Sequence, residues 1–256
     1  MTITLTVLGS GTAVPSLERS ACAIMVETGK ATLVFDTGPG TMRRLLEAGR
    51  HLNDVSHIFY SHFHPDHTSE LVPFLFAVKY HPPLHRPQGI TLTGGPGFID
   101  YYGRLQHAHG DWMAPEPGFV DLVEMVPGET GRTEYPGFTV DTGPVQHKPE
   151  SLAYRITAPC GTSIVYSGDT DFSEDLIQLA TGADLFVCES AFPDDLKTDK
   201  HATPSIAGRM AEKAGVDILM LTHFYPACDK VDLAKQCRRT YSGRLILAED
   251  LLKITL

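Results

Sequence analysis

The stretch Ser61-His62-Phe63-His64-Pro65-Asp66-His67 constrains this chain more than any other. Four side chains able to bind a metal fall within six residues, directly after the apolar run His57-Ile58-Phe59-Tyr60. Three imidazoles and a carboxylate crowded at the end of an apolar run cost free energy unless something binds them. Their nitrogen and oxygen donors suit a borderline cation such as Zn²⁺, and two nearby cations could share the cluster. A binuclear hydrolase is therefore the first expectation. A solvated, His-rich turn is the plainer alternative, weakened because the rest of the chain supplies further ligand types in similar settings.

Composition narrows the class. With 256 residues, 42% apolar and 20% charged, the chain can build a sizeable core,. No linker divides it, so one domain spanning 1–256 is expected. No run of about 18 apolar residues exists, and residues 1–8 alternate like a strand instead of forming a basic leader with an apolar segment,. These features predict a cytoplasmic protein without a membrane segment. Five cysteines without a CxxC pair argue against a disulfide framework and for reduced, mostly buried thiols,. A net charge of −10 and no Lys/Arg cluster argue against a long nucleic acid as partner,. A small phosphorylated substrate stays open, because bound dications would invert the local field.

Strand-like runs recur at 2–8, 23–27, 32–36, 57–61, 90–93, 138–142, 153–158, 163–167, 185–189, 218–222 and 244–247,. Helical spacing marks 41–48, stopped by Gly49, and 173–180, closed by Gly182. It also marks 69–80, apolar enough to be largely buried, and a helix with Thr203 as N-cap, Pro204 at its first position and Gly215 beyond its end,. Strands in runs that then alternate with helices predict an α/β fold, a four-layer αββα sandwich of two mixed sheets. Residues 81–136, rich in Pro and Gly and holding Trp112, read as irregular: loops over a site or a structural excursion,. His107 and His109 beside Trp112 could belong to a lid, while His51, His57, His81 and His85 read as solvated or structural.

Four strand ends present a ligand-type side chain where sheet gives way to loop: His62 after Phe59-Tyr60-Ser61, Asp169 after Ser167-Gly168, His223 after Leu221-Thr222, and His147 shortly after Thr142-Gly143,. Each alone is more often a satisfied core or surface residue. Together they complete two coordination shells.

In this order, with Asp36-Thr37-Gly38, these motifs resemble the metallo-β-lactamase superfamily across almost the whole chain. The resemblance implies His62, His64 and His147 on one metal, Asp66, His67 and His223 on the other, and Asp169 bridging them. Asp36 would stand behind the ligands and orient the His cluster. Within the superfamily the chain is most similar to the ribonuclease Z type. That likeness rests on Leu8-Gly9-Ser10-Gly11-Thr12-Ala13-Val14-Pro15 followed by Arg19, on Cys188-Glu189-Ser190-Ala191-Phe192, and on His201-Ala202-Thr203. It implies two divalent ions, Zn²⁺ ahead of Mn²⁺, a Glu189–His201 pair at the leaving group, and a homodimer.

Two departures matter. The tRNA-processing members carry a long arm between the positions of His147 and Asp169, where only 21 residues lie here; Leu17 and Ser20 replace a common Lys and Asn. An arm-less phosphodiesterase acting on small or cyclic phosphodiesters is the resulting expectation. A hydroxide held between the metals would attack in line, Asp66 would bind a metal and accept a hydrogen bond from the nucleophile, and His201 would be the general acid. Backbone amides opening the helix at Pro204 could also favour an anion. The alternatives are tRNA 3′-processing, hydrolysis of a sulfate ester, thioester, lactone or β-lactam on the same metals, a di-iron oxidoreductase, and a non-catalytic binding protein.

Overall fold

The computed structural model describes residues 2–80, 89–113, 117–126 and 132–256. Two seven-stranded sheets carry the chain. The first contains β1 (Ile3–Gly9), β2 (Ala23–Thr28), β3 (Ala31–Phe35), β4 (His57–Phe59), β5 (Ile90–Gly94), β6 (Val120–Glu124) and the carboxy-terminal β14 (Lys253–Thr255), in the order β14-β1-β2-β3-β4-β5-β6. The second contains β7 (Arg132–Tyr135), β8 (Phe138–Pro144), β9 (Leu152–Thr157), β10 (Ser163–Tyr166), β11 (Leu185–Glu189), β12 (Ile218–Thr222) and β13 (Arg244–Leu247), in the order β13-β12-β11-β10-β9-β8-β7. Both sheets mix antiparallel hairpins with parallel strands. The mixed α/β sandwich expected from the strand and helix order is the observed architecture.

Side-chain alternation explains the layering, since successive residues of a strand point to opposite faces. Ile24, Val26, Leu33, Phe35 and Phe59 enter the core between the sheets, where Tyr154, Ile156 and Tyr166 meet them from the other side. Their neighbours Met25, Val34, Ile58 and Tyr60 point outward, beneath Leu45 of α1 (Thr41–Glu47), Leu71, Phe74 and Leu75 of α3 (Leu71–Tyr80), and Phe98 and Tyr102 of α4 (Phe98–His109). On the other sheet, α5 (Glu174–Ala180), α6 (Pro204–Ala214) and α7 (Leu233–Cys237) bury Leu176, Met210 and Leu233. Among the described residues no helix is long and apolar enough to cross a membrane.

Three expectations need correction. The segment 81–136 is not uniformly irregular: its described part holds β5, α4, β6 and β7. Phe98, Tyr101, Tyr102 and Leu105 do follow helical spacing, but Gly94, Gly95, Gly97 and Gly103 disguise it,. His81, His85 and part of any lid lie outside the described residues, and Trp112 packs on Phe76 and Tyr80. The expected helix over 69–80 is preceded by a separate turn, α2 (Pro65–Thr68), which places Asp66 and His67 on a helix with Pro65 at its first position,. Thr203 stands at the N-cap of α6, but its side chain makes no capping bond. Asp194, eleven residues before Ser205 in the turn Asp194–Leu196, takes that role, accepting from Ser205 N at 3.1 Å and from Ser205 Oγ at 2.5 Å. An ionised carboxylate is the stronger acceptor.

Candidate metal centre

Strand ends at one rim of the sandwich deliver the site. Three groups of side chains place their donor atoms within 4.8 Å of one another: His62, His64, His147 and Asp169; Asp66, His67 and His223; and Asp169, His201 and His223. The fold thus gathers the seven residues expected around two metals, and His201 with them.

Asp169 joins the first two groups. Its Oδ2 lies 3.7 Å from His62 Nε2 and 3.9 Å from His147 Nε2, while its Oδ1 lies 3.2 Å from His67 Nε2 and 3.3 Å from His223 Nε2. One carboxylate oxygen faces each group. Asp66 Oδ2 stands 3.9 Å from His67 Nε2 and 3.7 Å from His223 Nε2.

Three of the imidazoles, those of His67, His147 and His62, have their outward nitrogens held from behind, which fixes how these rings face the site,. His67 Nδ1 is 2.7 Å from Asp36 Oδ2, His147 Nδ1 donates to the Lys200 carbonyl at 3.0 Å, and His62 Nδ1 is 3.0 Å from Ser61 Oγ. Asp36 itself is fully buried and accepts from Ser61 N, Ser61 Oγ and the Tyr166 hydroxyl at 2.8, 2.8 and 2.7 Å. Two of these residues sit in the left-handed backbone region, Asp36 at φ 60° and His223 at φ 62°. Such conformations cost a non-glycine residue about 1–3 kcal/mol and persist where surrounding structure enforces them.

The donor set fits a pair of divalent cations. His62 Nε2 is buried without a hydrogen-bond partner, and Asp169 Oδ1 is approached by two ring nitrogens yet meets neither in hydrogen-bond geometry. Buried polar atoms left so cost about 1–3 kcal/mol each, and one such atom stands in each of the two groups, so each group calls for an electrophile. The facing nitrogens agree: His67 Nε2 and His223 Nε2, like His64 Nδ1 and His147 Nε2, stand 3.3 Å apart. Two nitrogens bound tetrahedrally to one Zn²⁺ at about 2.0–2.1 Å are separated by about 3.3 Å.

Burial keeps the three rings of the first group neutral and able to coordinate. Burial pushes His147 down to about 4 and holds His62 well below the ordinary imidazole range; His64 is lowered for the same reason. Burial opposes charge on His67 as well, but the Asp169 and Asp36 carboxylates outweigh it and raise His67. Asp169 is held well below the usual carboxylate range despite its burial, by His223 and His67.

The Glu189–His201 pair adjoins this centre. His201 Nδ1 lies 3.0 Å from Glu189 Oε1 and 3.9 Å from Asp169 Oδ2. Glu189 is anchored at the end of β11 by Thr170 N at 2.7 Å and Ala191 N at 3.2 Å. Burial raises the Glu189 carboxyl; His201 is desolvated too, but its hydrogen bond with Glu189 raises it. A cleft of about 570 Å³ opens beside His147, lined among others by Gln146, Lys148, Asp171 and Lys200. The expected anion site at the start of α6 is largely taken: Pro204 has no N–H and Ser205 N is bound to Asp194,.

Several participants escape a reading by motif. Ser61 and Tyr166 act on Asp36, and Lys200 acts on His147 through its carbonyl. Tyr166 lies on the opposite sheet and 130 residues from Asp36, a separation no local pattern spans.

Comparison with known proteins agrees with this geometry. Residues 31–224 match the family model described as the Beta-lactamase superfamily domain. An uncharacterized protein of Mycobacterium tuberculosis is 31% identical over 248 residues, 95% of this chain and 88% of the relative. The ribonuclease Z of Haloferax volcanii is 27% identical over 308 aligned residues, covering 98% of this chain and 94% of the relative. Among solved structures, the metallo-β-lactamase fold protein YhfI from Bacillus subtilis superposes with a TM-score of 0.85 at 21% identity, covering 100% of this chain and 99% of that one.

Proposed function

The chain belongs to the metallo-β-lactamase superfamily and is a metal-dependent hydrolase, and within that class we propose that it is a phosphodiesterase for small or cyclic phosphodiesters. The observation that carries this reading is the Glu189–His201 pair, 3.0 Å apart and set against Asp169. A phosphodiester releases an alkoxide, a poor leaving group that needs a proton from a positioned acid. A general acid contributes about 10²- to 10⁴-fold.

His62, His64 and His147 with Asp169 Oδ2 would hold one cation, and Asp66, His67 and His223 with Asp169 Oδ1 the other. The nitrogen-rich set favours Zn²⁺, with Mn²⁺ as the alternative. Bound there, the ions supply Lewis-acid activation of water and neutralise charge growing on the phosphoryl oxygens. Asp66, only partly buried, would accept a hydrogen bond from the attacking water. Glu189 holds His201 by Nδ1, orients the ring and stabilises the imidazolium, leaving Nε2 to pass a proton to the departing oxygen. The 570 Å³ cleft suits a ligand of small-molecule size,.

Between His147 and Asp169 the chain folds into the β9–β10 hairpin, closed by bonds of Ala158 N to Thr162 O and Gly161 N to Ala158 O. A long arm for gripping RNA does not fit this interval. Processing of tRNA 3′ ends is the second reading, favoured by the ribonuclease Z relative.

The test is hydrolysis of bis(p-nitrophenyl) phosphate and 2′,3′-cyclic AMP by protein stripped of metal and reloaded separately with Zn²⁺ or Mn²⁺. A precursor tRNA, p-nitrophenyl sulfate and a thioester run alongside. Metal-dependent turnover of the small diesters is expected. Turnover of only the sulfate or thioester would overturn the substrate class, and cleavage of the precursor tRNA alone would establish the second reading.

A further inference from the structure

His201 and the ligand-type His147 are fastened at one place in the chain. His201 lies in the stretch between the turn Asp194–Leu196 and α6, where no regular element sets its position. The residue before it, Lys200, gives its carbonyl to His147 Nδ1 at 3.0 Å, and the rings of His147 and His201 stand 5.0 Å apart. Lys200 does this from φ 66°, the left-handed region that a lysine rarely occupies,. Among the described residues, the other non-glycines in that region are Asp36, His223 and Leu251, and the first two belong to the metal centre. The Lys200 side chain does not account for its conformation: it is exposed, and its ammonium makes no ion pair or hydrogen bond among the described residues. Neighbouring contacts enforce the turn instead. Lys197 Nζ bonds Asp171 Oδ2 at 2.6 Å, Asp171 N bonds Gln146 O at 3.0 Å, and beyond His201 the Ala202 carbonyl accepts from Ala191 N at 3.1 Å. The stretch is thus laced to the segments that carry His147 and Glu189.

We propose that Lys200 is a positioning residue whose left-handed backbone serves both halves of the site: its carbonyl holds His147 in the first metal group, and the peptide that follows aims His201 at the leaving group. The half concerning His201 rests on the phosphodiesterase reading given above; the half concerning His147 does not. The φ and ψ of one residue set both the direction of its carbonyl and the course of the chain after it. With the chain before Lys200 pinned through Lys197, a right-handed or extended Lys200 would turn the carbonyl off His147 and carry His201 away from Glu189. A carbonyl can only accept, so it also requires His147 to keep its proton on Nδ1, which leaves Nε2 free to bind a metal.

The test sets Lys200→Val, whose β-branch disfavours positive φ, against Lys200→Asn and Lys200→Gly, which accept it. Competition with a chromogenic chelator should show Zn²⁺ affinity lowered about 10- to 100-fold in Lys200→Val, the usual effect of disturbing a partner behind a metal-binding imidazole. Lys200→Asn and Lys200→Gly should restore it. At saturating Zn²⁺, Lys200→Val should still lose kcat on the order of 10-fold on 2′,3′-cyclic AMP, whose alkoxide needs a proton, with KM little changed. Bis(p-nitrophenyl) phosphate, whose phenolate leaves without a proton, should lose little. Equal losses on the two diesters would overturn the aiming of His201. Wild-type affinity in Lys200→Val, or failure of Lys200→Asn and Lys200→Gly to restore it, which would trace the effect to the ammonium, would overturn the hold on His147. A measurement on the wild type needs no variant to fold: ¹⁵N spectra of its histidines without metal at neutral pH should show the His147 proton on Nδ1, and a proton on Nε2 would overturn the same hold. Turnover of neither diester would remove the phosphodiesterase and the aiming of His201 with it, while affinity and tautomer would still decide the His147 half.

Discussion

Asp36 Oδ2 takes His67 Nδ1 at 2.7 Å where both side chains are wholly shielded from solvent. The same carboxylate gathers Ser61 and Tyr166, so one buried charge ties together three strand ends, those of β3, β4 and β10. Replacing Asp36 with Asn keeps a residue that tolerates positive φ but removes the charge and two acceptor sites. Asp36→Asn should weaken metal affinity about 10- to 100-fold, the usual effect of losing a partner behind a metal-binding imidazole. Competition with a chromogenic chelator measures it, and unchanged affinity would show that His67 needs no such support.

His64 and His201 should separate metal binding from turnover. His64→Ala removes a donor from the first group and should lose metal and activity together. His201→Ala should retain metal, because Glu189 stays anchored by Thr170 N and Ala191 N, yet lose about 10²- to 10⁴-fold in kcat,. Metal content after gel filtration, read beside turnover, distinguishes the two; full activity in His201→Ala would remove it as the acid.

Gly38 passes so close to α2 that a methyl group there would stand 2.1 Å from the Asp66 carbonyl oxygen and 2.8 Å from Ala21 Cβ. Backbone cannot swing aside as a side-chain tip can. Gly38→Ala should lower stability by about 1–3 kcal/mol, seen in denaturant unfolding, and impair activity beyond that loss by displacing Asp66. A variant with wild-type stability would mean that the Asp36–Gly38 turn moves freely.

Thiol chemistry should single out Cys160. It is exposed, and its hydrogen bond with Thr162 lowers its pKa; burial pushes Cys22, Cys228 and Cys237 up to about 12 and Cys188 well above its ordinary value. The thiolate is the nucleophile, so a lowered pKa means Cys160 labels at a lower pH than a free cysteine, while the other four stay protonated across neutrality. Dithionitrobenzoate should titrate one fast thiol in the native protein and five after denaturation. More than one fast native thiol would contradict the described burial.

Local pattern carried much of this protein. The run from His57 to His67 announces a buried strand ending in metal donors, because apolar stretch and ligand types are adjacent in the chain. Pro204 and Gly215 bound α6 by their own backbone restrictions. The same logic fails where the cause is distant or masked. Glycines hide the helix Phe98–His109, β14 is a three-residue strand that exists only by pairing with β1, and Asp194 caps α6 from a separate turn.

Residue types, their order and the strand ends they occupy were determined by the sequence, since alternation and helical spacing act over a few residues. The division of Asp169's two oxygens between two His groups was decided only when the sheets packed. So were the four hydrogen bonds converging on Asp36. Each depends on distances of a few ångströms between strands remote in the chain, and burial of the shared core, not any local preference, sets those distances.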